Sequence, residues 1–296
     1  MSAQGSRGFV VVAVLWMLAA LAALASAYSV FAVNTAASVY LPQARLGADA
    51  AIRAAVELTA YRQLSWPKAD RPRQGGFTAR LGAARLDVAY RAETARVDVN
   101  VAPRDLLAGV FSVAGARDET AAFLADRIIA WRAPPQDKTK EAEAAIYHKA
   151  RLSYTALGAP FDNVLELALL PQMTPRLLVR ALPLLTVYSG AATINPLIAD
   201  ADVLAAVPGM TKKIESAMRA AAAGPRPDSA AVAQAAGPAK DFVNVDPNDN
   251  VRADIVVAFP DRRVRAEVVL LITDVADEPY QILYWRDDFD GGAAGY

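Results

Sequence analysis

The sequence has no cysteine and a single histidine, His148, among its 296 residues. The first absence excludes disulfides and thiolate metal sites, so the fold must hold by packing alone. The second excludes multi-histidine metal centres and leaves little scope for a His-based catalytic triad. His148 itself reads as a surface residue in the charged stretch 138–151. Excess charge of either sign is also missing, since 31 Lys and Arg balance 31 Asp and Glu. That balance argues against a general polyanion binder. No Gly-rich phosphate loop, nucleophile elbow or zinc signature occurs. Carboxylates are plentiful, but nothing places two of them together as a glycosidase needs.

Charge is absent altogether between Arg7 and Arg45. Within that gap, residues 9–33 form an apolar run. Wound as a helix, it reaches ~37 Å against a hydrocarbon core of ~30 Å. Two readings of the run compete. A secretory signal peptide would use Arg7 as its basic flank and Ala25-Ser26-Ala27 as a small-x-small cleavage site. A retained membrane anchor accounts better for the length, because signal cores run ~7–15 residues and here Tyr28, Val30, Phe31 and Val33 continue past the site. Only Arg7 marks a positive leading side. The anchor is the favoured reading.

Beyond the run, residues 34–66 keep helical spacing of Leu46, Ala50, Val56, Ala60 and Leu64, with charges between them. Pro42 is expected to kink this helix, and residues 67–76 to end it. Alternation at 77–81, 85–91 and 96–101 predicts strands, with Val97, Val99 and Val101 inward and Asp98 and Asn100 outward. From 103 to about 223 the period turns helical, with short helices at 106–110, 120–133, 165–170, 175–185, 202–207 and 212–222. Residues 223–240 read as an Ala/Pro/Gly linker. Strands return at 242–245, 255–259, 263–273 and 280–285. The expected fold class is α+β: a long N-terminal helix, a small antiparallel sheet at 77–101 and 241–286 covered on one face by that helix, and an all-helical insertion at 102–223. Residues 287–296 form an acidic, Gly-rich tail.

The insertion holds helix-hairpin-helix patterns. The first runs from Asn100 and Pro103 through Asp105-Leu106-Leu107-Ala108, turns at Gly115 and ends at Ile128-Ile129-Ala130-Trp131-Arg132. The last runs from Ile194-Asn195-Pro196 through Asp202-Val203-Leu204-Ala205 and turns at Pro208-Gly209. A weaker middle copy spans Glu166 to 185. The shared Asp-apolar-Leu-Ala core is a modest repeat, with glycine at the tight turns. Such hairpins can bind DNA phosphates through paired glycines and basic side chains. Here each turn has one glycine. Residues 103–133 balance Arg104, Arg117, Arg127 and Arg132 against Asp105, Asp118, Glu119 and Asp126, so a packing and partner role is preferred. Asp246-Pro247-Asn248-Asp249-Asn250 opens like a calcium loop. Val251 at its sixth position and Val257 at its twelfth exclude an EF-hand. A turn capped by its own Asx side chains is expected there, with a looser calcium site left open. Asp287, Asp288 and Asp290 could likewise bind calcium, but a solvated tail is the preferred reading.

Taken in order, these residues resemble a known family, the minor pseudopilin GspK of type II secretion. The resemblance rests on Arg7-Gly8-Phe9 before a helix with Val14-Leu15-Trp16, on Asn100 and Leu106-Leu107, and on Ile128 to Arg132. It continues through Phe161-Asp162-Asn163 with Glu166-Leu167, Pro171 and Met173, Leu184-Leu185-Thr186-Val187, Ile194-Asn195, and Leu204 with Pro208-Gly209. It implies a pilin-like fold and no enzymatic activity. It implies cleavage by a prepilin peptidase after Gly8, leaving Phe9 as a methylated N-terminus and Ala25-Ser26-Ala27 unused. Most pseudopilins carry Glu at the fifth mature position, where a carboxylate in lipid needs a partner. Ala13 stands there instead; members of this family share the absence of that Glu, which suits a subunit at the filament tip. Ala13, Trp16, Leu21, Leu24 and Phe31 would then face membrane lipid and the helices of the I- and J-class minor pseudopilins and the inner-membrane platform. The chain would be a single-pass inner-membrane protein, its short N-terminus cytoplasmic and its bulk periplasmic. Neither a cofactor nor nucleic acid is expected. Some relatives hold calcium and a disulfide; this chain has no cysteine, and calcium ligands cannot be assigned. The alternatives are a membrane-tethered helix-hairpin-helix DNA-binding protein and a secreted enzyme released after Ala27.

Overall fold

The computed structural model describes residues 6–134, 137–223 and 228–288. The chain divides into two compact units, 1–53 and 54–296. Helix α1 (Ser6–Leu64) makes up the first and supplies its last turns to the second. Ala and Leu dominate it and glycine is absent from 9 to 46, so few residues oppose the helix. It continues through Pro42 without a break.

In the second unit, five strands form an antiparallel sheet of order β1-β2-β5-β6-β7: β1 (Gln74–Leu81), β2 (Ala84–Ala92), β5 (Asn250–Ala258), β6 (Arg263–Val275) and β7 (Glu278–Asp287). The period-2 pattern sets the register, pairing Leu86 with Val257, Val88 with Ile255 and Ile255 with Ala266, all buried on one face. The last turns of α1 bury Ala55, Val56 and Ala60. The Tyr280 hydroxyl on edge strand β7 donates to Glu57 at 2.6 Å, and the Arg62 guanidinium lies 4.4 Å over the Phe77 ring on the opposite edge strand, β1. These turns therefore span the sheet from edge to edge. Just after the helix, Arg71 is buried and paired with Asp249 at 3.0 Å and with Asp274.

Between β2 and β5 the chain builds a helical module: α2 (Arg104–Val113), α3 (Asp118–Arg132), α4 (Asp137–Lys149), α5 (Pro175–Ala181), α6 (Ala201–Ala205), α7 (Lys212–Ala221) and α8 (Ser229–Ala236). One apolar core runs through it, with Leu106, Leu107, Val110, Phe111, Leu124, Ile128 and Leu167 fully buried. Trp131 stacks on Phe161 with ring centroids 5.4 Å apart.

Several expectations need correction. Residues 96–101 do not extend the sheet. Only β3 (Val97–Asp98) pairs, in parallel with β4 (Leu185–Thr186), as a separate two-stranded sheet. Its alternation misled because Asp98 is buried and Val101 is exposed. Asp98 accepts the N–H groups of Asn100 and Gly190, both at 2.8 Å, and the Ser189 hydroxyl at 3.2 Å. The helix expected at 175–185 ends at Ala181, because a 3-10 turn with Pro183 leads into β4. The expected linker contains α8 and a 3-10 helix (Gly237–Phe242) whose Val232, Ala236 and Ala239 fill the core, small side chains allowing close approach; residues 224–227 lie outside the described residues. Residues 242–245 are no sheet strand and pair only through Val243 with Ile194. Helix α4 was not expected, since its core-facing Tyr147 is isolated among charges, whereas His148 is exposed as expected.

The spaced motifs of the sequence meet one another here. The Asn100 side chain donates to the Phe161 carbonyl at 2.9 Å and accepts the Phe161 N–H at 2.7 Å. Arg132 donates to the carbonyls of Val99 at 2.6 Å and Ala102 at 2.8 Å. Asn163 and Glu166 form a reciprocal cap on the 3-10 helix between them. Asn100→Ala strips both bonds from Phe161 and is expected to lower unfolding stability by about 1–3 kcal/mol, read by urea denaturation of the full chain in detergent.

Candidate functional site

The apolar helix, the join between sheet and module, and the hairpins carry the functional geometry. The span Val11–Ser29 has a mean hydropathy of 2.2, and none of it is buried. It is the one helix among the described residues long and apolar enough to cross a membrane. Trp16, Leu21, Leu24 and Phe31 are each 61% exposed or more, and Ala13 is exposed beside them. Each large side chain gains ~1.5–3 kcal/mol on leaving water, so the segment needs lipid or other helices around it. Ala13 keeps this end of the span free of a carboxylate, which is costly in lipid unless partnered. Gly8 and Phe9 fall in the first turn of α1; their side-chain surroundings lie outside the described residues.

The join is a buried charge cluster on the other sheet face, missed at the sequence level. Arg252 on β5 donates to Glu93 at 2.6 and 3.2 Å and to Glu267 on β6. Glu93 sits on the 3-10 turn after β2 and also accepts the Thr186 hydroxyl from β4 in the module. Arg286 on β7 adds a bond to Glu267 at 2.6 Å. Burial opposes both charges, yet the glutamates hold Arg252 above its ordinary value and Arg252 holds Glu267 below its own. Nothing in the sequence signals this, since these residues sit on strands far apart in the chain.

The hairpins form largely as read. Gly115 joins α2 to α3 at φ +99° and Gly209 joins α6 to α7 at φ +75°, both left-handed. The glycine that decides their packing is Gly109, inside α2. A Cβ there would stand 1.9 Å from the Ala206 carbonyl oxygen, so the two hairpins meet backbone to backbone. A glycine inside an otherwise good helix was the available signal. The middle copy reduces to a 3-10 helix (Val164–Leu169) and the short α5.

The loop at 246–250 is closed by its own side chains: Asn244 accepts from the Asp246 N–H at 2.8 Å, and Asn248 from the Asn250 N–H at 3.0 Å. Asp246 also accepts the Ser229 hydroxyl, and Asp249 holds Lys68 and Arg71. Both carboxylates are thus engaged by other side chains of the chain, and the described residues hold no group of three His, Cys, Asp or Glu placed for a metal ion. Asp287 accepts from the Trp285 ring N–H and Asp288 from the Arg265 N–H, while Asp290 lies outside the described residues.

Two comparisons bear on this geometry. Residues 84–190, from β2 through β4, match the family described as Type II secretion system (T2SS), protein K. A chain of the crystal structure of the GspK-GspI-GspJ complex from the enterotoxigenic Escherichia coli type 2 secretion system has the same fold. It is 12% identical, with a TM-score of 0.60 over 85% of this chain and 99% of that one. No curated protein matches. The resemblance to GspK read from the sequence is matched by the family over this span, which contains Asn100, Gly115, Trp131, Arg132, Phe161 and Thr186.

Two outcomes are expected. Gly109→Ala should destabilise the module by about 1–3 kcal/mol through overpacking, read as a lower urea midpoint. Glu267 has its folded value lowered from 4.5, so its contribution is present above that pH and is lost as pH falls through the lower folded value. Glu267→Gln should therefore be less stable at neutral pH and lose less stability than the parent on acidification, in urea midpoints from about pH 6 to about pH 3.

Proposed function

We propose that the chain is a minor pseudopilin of type II secretion that caps the tip of the pseudopilus and supports export of folded proteins across the outer membrane. The observation that carries this reading is a protein K span behind an exposed apolar helix on one chain. The solved relative is a complex of GspK with GspI and GspJ, which supports I- and J-class minor pseudopilins as partners of this chain. In this reading α1 is anchored in the inner membrane, with the short N-terminus cytoplasmic and the sheet and module periplasmic. Trp16, Leu21, Leu24 and Phe31 meet lipid and partner helices.

The mechanism is mechanical. Prepilin peptidase cuts after Gly8 and leaves the helix attached, so the subunit stays in lipid until neighbouring helices replace lipid around it. Ala13 offers no carboxylate to the N-terminal amine of a further subunit. The bulk of the helical module, which would obstruct neighbours repeated along a filament, suits the end of one. The chain performs no catalysis in this role.

The N-terminal residue of the mature protein tests the proposal. Phe9, N-methylated, is the expected outcome by mass spectrometry; Tyr28 would mean a secreted, soluble product and would overturn it. Gly8→Leu is expected to leave the uncleaved precursor and abolish secretion, and normal processing of that variant would refute the site.

A further inference from the structure

The turn of the first hairpin and helix α5 enclose a concavity of about 420 Å³, lined by Gly115, Arg117, Gln172, Thr174, Arg176 and Arg180. No acidic residue lines it. None of the three arginines has a carboxylate within 4.0 Å among the described residues, and all three are exposed. By contrast Arg71, Arg91, Arg104, Arg252 and Arg286 are each paired with an acid. The Arg180 guanidinium lies over Gly115, its Nη1 only 2.6 Å from where a Cβ would stand, so the glycine admits the charge to the hollow.

We propose that this concavity is a docking surface for an acidic segment of a protein partner, the guanidiniums taking two or more of its Asp or Glu carboxylates. Guanidinium forks match carboxylates bidentately, and like charges gathered without counter-ions favour an anionic ligand. The surroundings favour polypeptide over nucleic acid. On α5, Arg176, Val179 and Arg180 fall at i, i+3 and i+4 on one face, and Val179 is 66% exposed. An apolar side chain flanked by carboxylates meets that face well. A continuous phosphate chain would overrun the hollow and meet Asp118 and Glu119, which open α3 next to Arg117. None of these residues belongs to the apolar helix on which the proposed function rests, so failure here would leave the processing and anchoring reading standing.

The test uses the full chain in detergent, with a fluorescein-labelled peptide of alternating glutamate and leucine and a single-stranded oligothymidylate of equal charge. The peptide is expected to bind with a salt-sensitive affinity. Arg176→Glu with Arg180→Glu should weaken it by about tenfold or more. Lys213→Glu on α7 should leave it unchanged. Arg117→Gln with Arg176→Gln, which spares the contact over Gly115, should also weaken it and serves if the first pair disturbs the turn. Absence of peptide binding, binding unaffected by both arginine pairs, or equal or stronger binding of the oligonucleotide would each overturn the proposal.

Discussion

Arg252 lies buried where the sheet meets the helical module, and its guanidinium ties Glu93, at the exit of β2, to Glu267 on the neighbouring strand while Glu93 holds Thr186 of the module. Removing one member of such a buried set leaves a charge unpaired, at a cost of ~3–5 kcal/mol. The geometry also demands register. Only when β2, β5 and β6 pair as they do does Arg252 stand beside Glu267 and face the turn that carries Glu93. The cluster therefore supplies orientation as much as stability, fixing how the module leaves the sheet.

The module depends on a different physics. Its helices are short, and few would persist alone in water. They are held by a shared apolar core and by polar side chains that satisfy the carbonyls and N–H groups of irregular segments. Arg132 and Asn100 do this for the chain around 99–102 and at Phe161. Some of the residues by which the chain resembles GspK, Asn100, Arg132 and Asn163 among them, are thus side chains that finish loops. Backbone contact at Gly109 brings the two hairpins closer than side chains would allow.

The apolar helix answers to neither core. With its large side chains exposed, α1 is built to be solvated by something other than water, and a lipid bilayer followed by partner helices fits that need. The chain carries no net charge as a whole, and the arginines around Gly115 are a local departure from that balance.

The sequence by itself determined the long apolar helix, the sheet strands at 77–91 and 255–285, the two glycine turns and the order of family motifs. All of these follow from local periodicity, composition or a required backbone angle. It did not reveal the small sheet at Val97–Asp98, the helix at Ser229–Ala236 or the packing role of Gly109. In those places a buried carboxylate, small side chains or a close backbone contact answers to partners far along the chain. The charge cluster at Arg252 and the arginine hollow at Gly115 were likewise decided only by tertiary structure. Each gathers residues from segments distant in the chain, three strands and a turn for the cluster, a hairpin turn and α5 for the hollow, and local propensity cannot report which charges will lose their water and which will be left without a counter-ion.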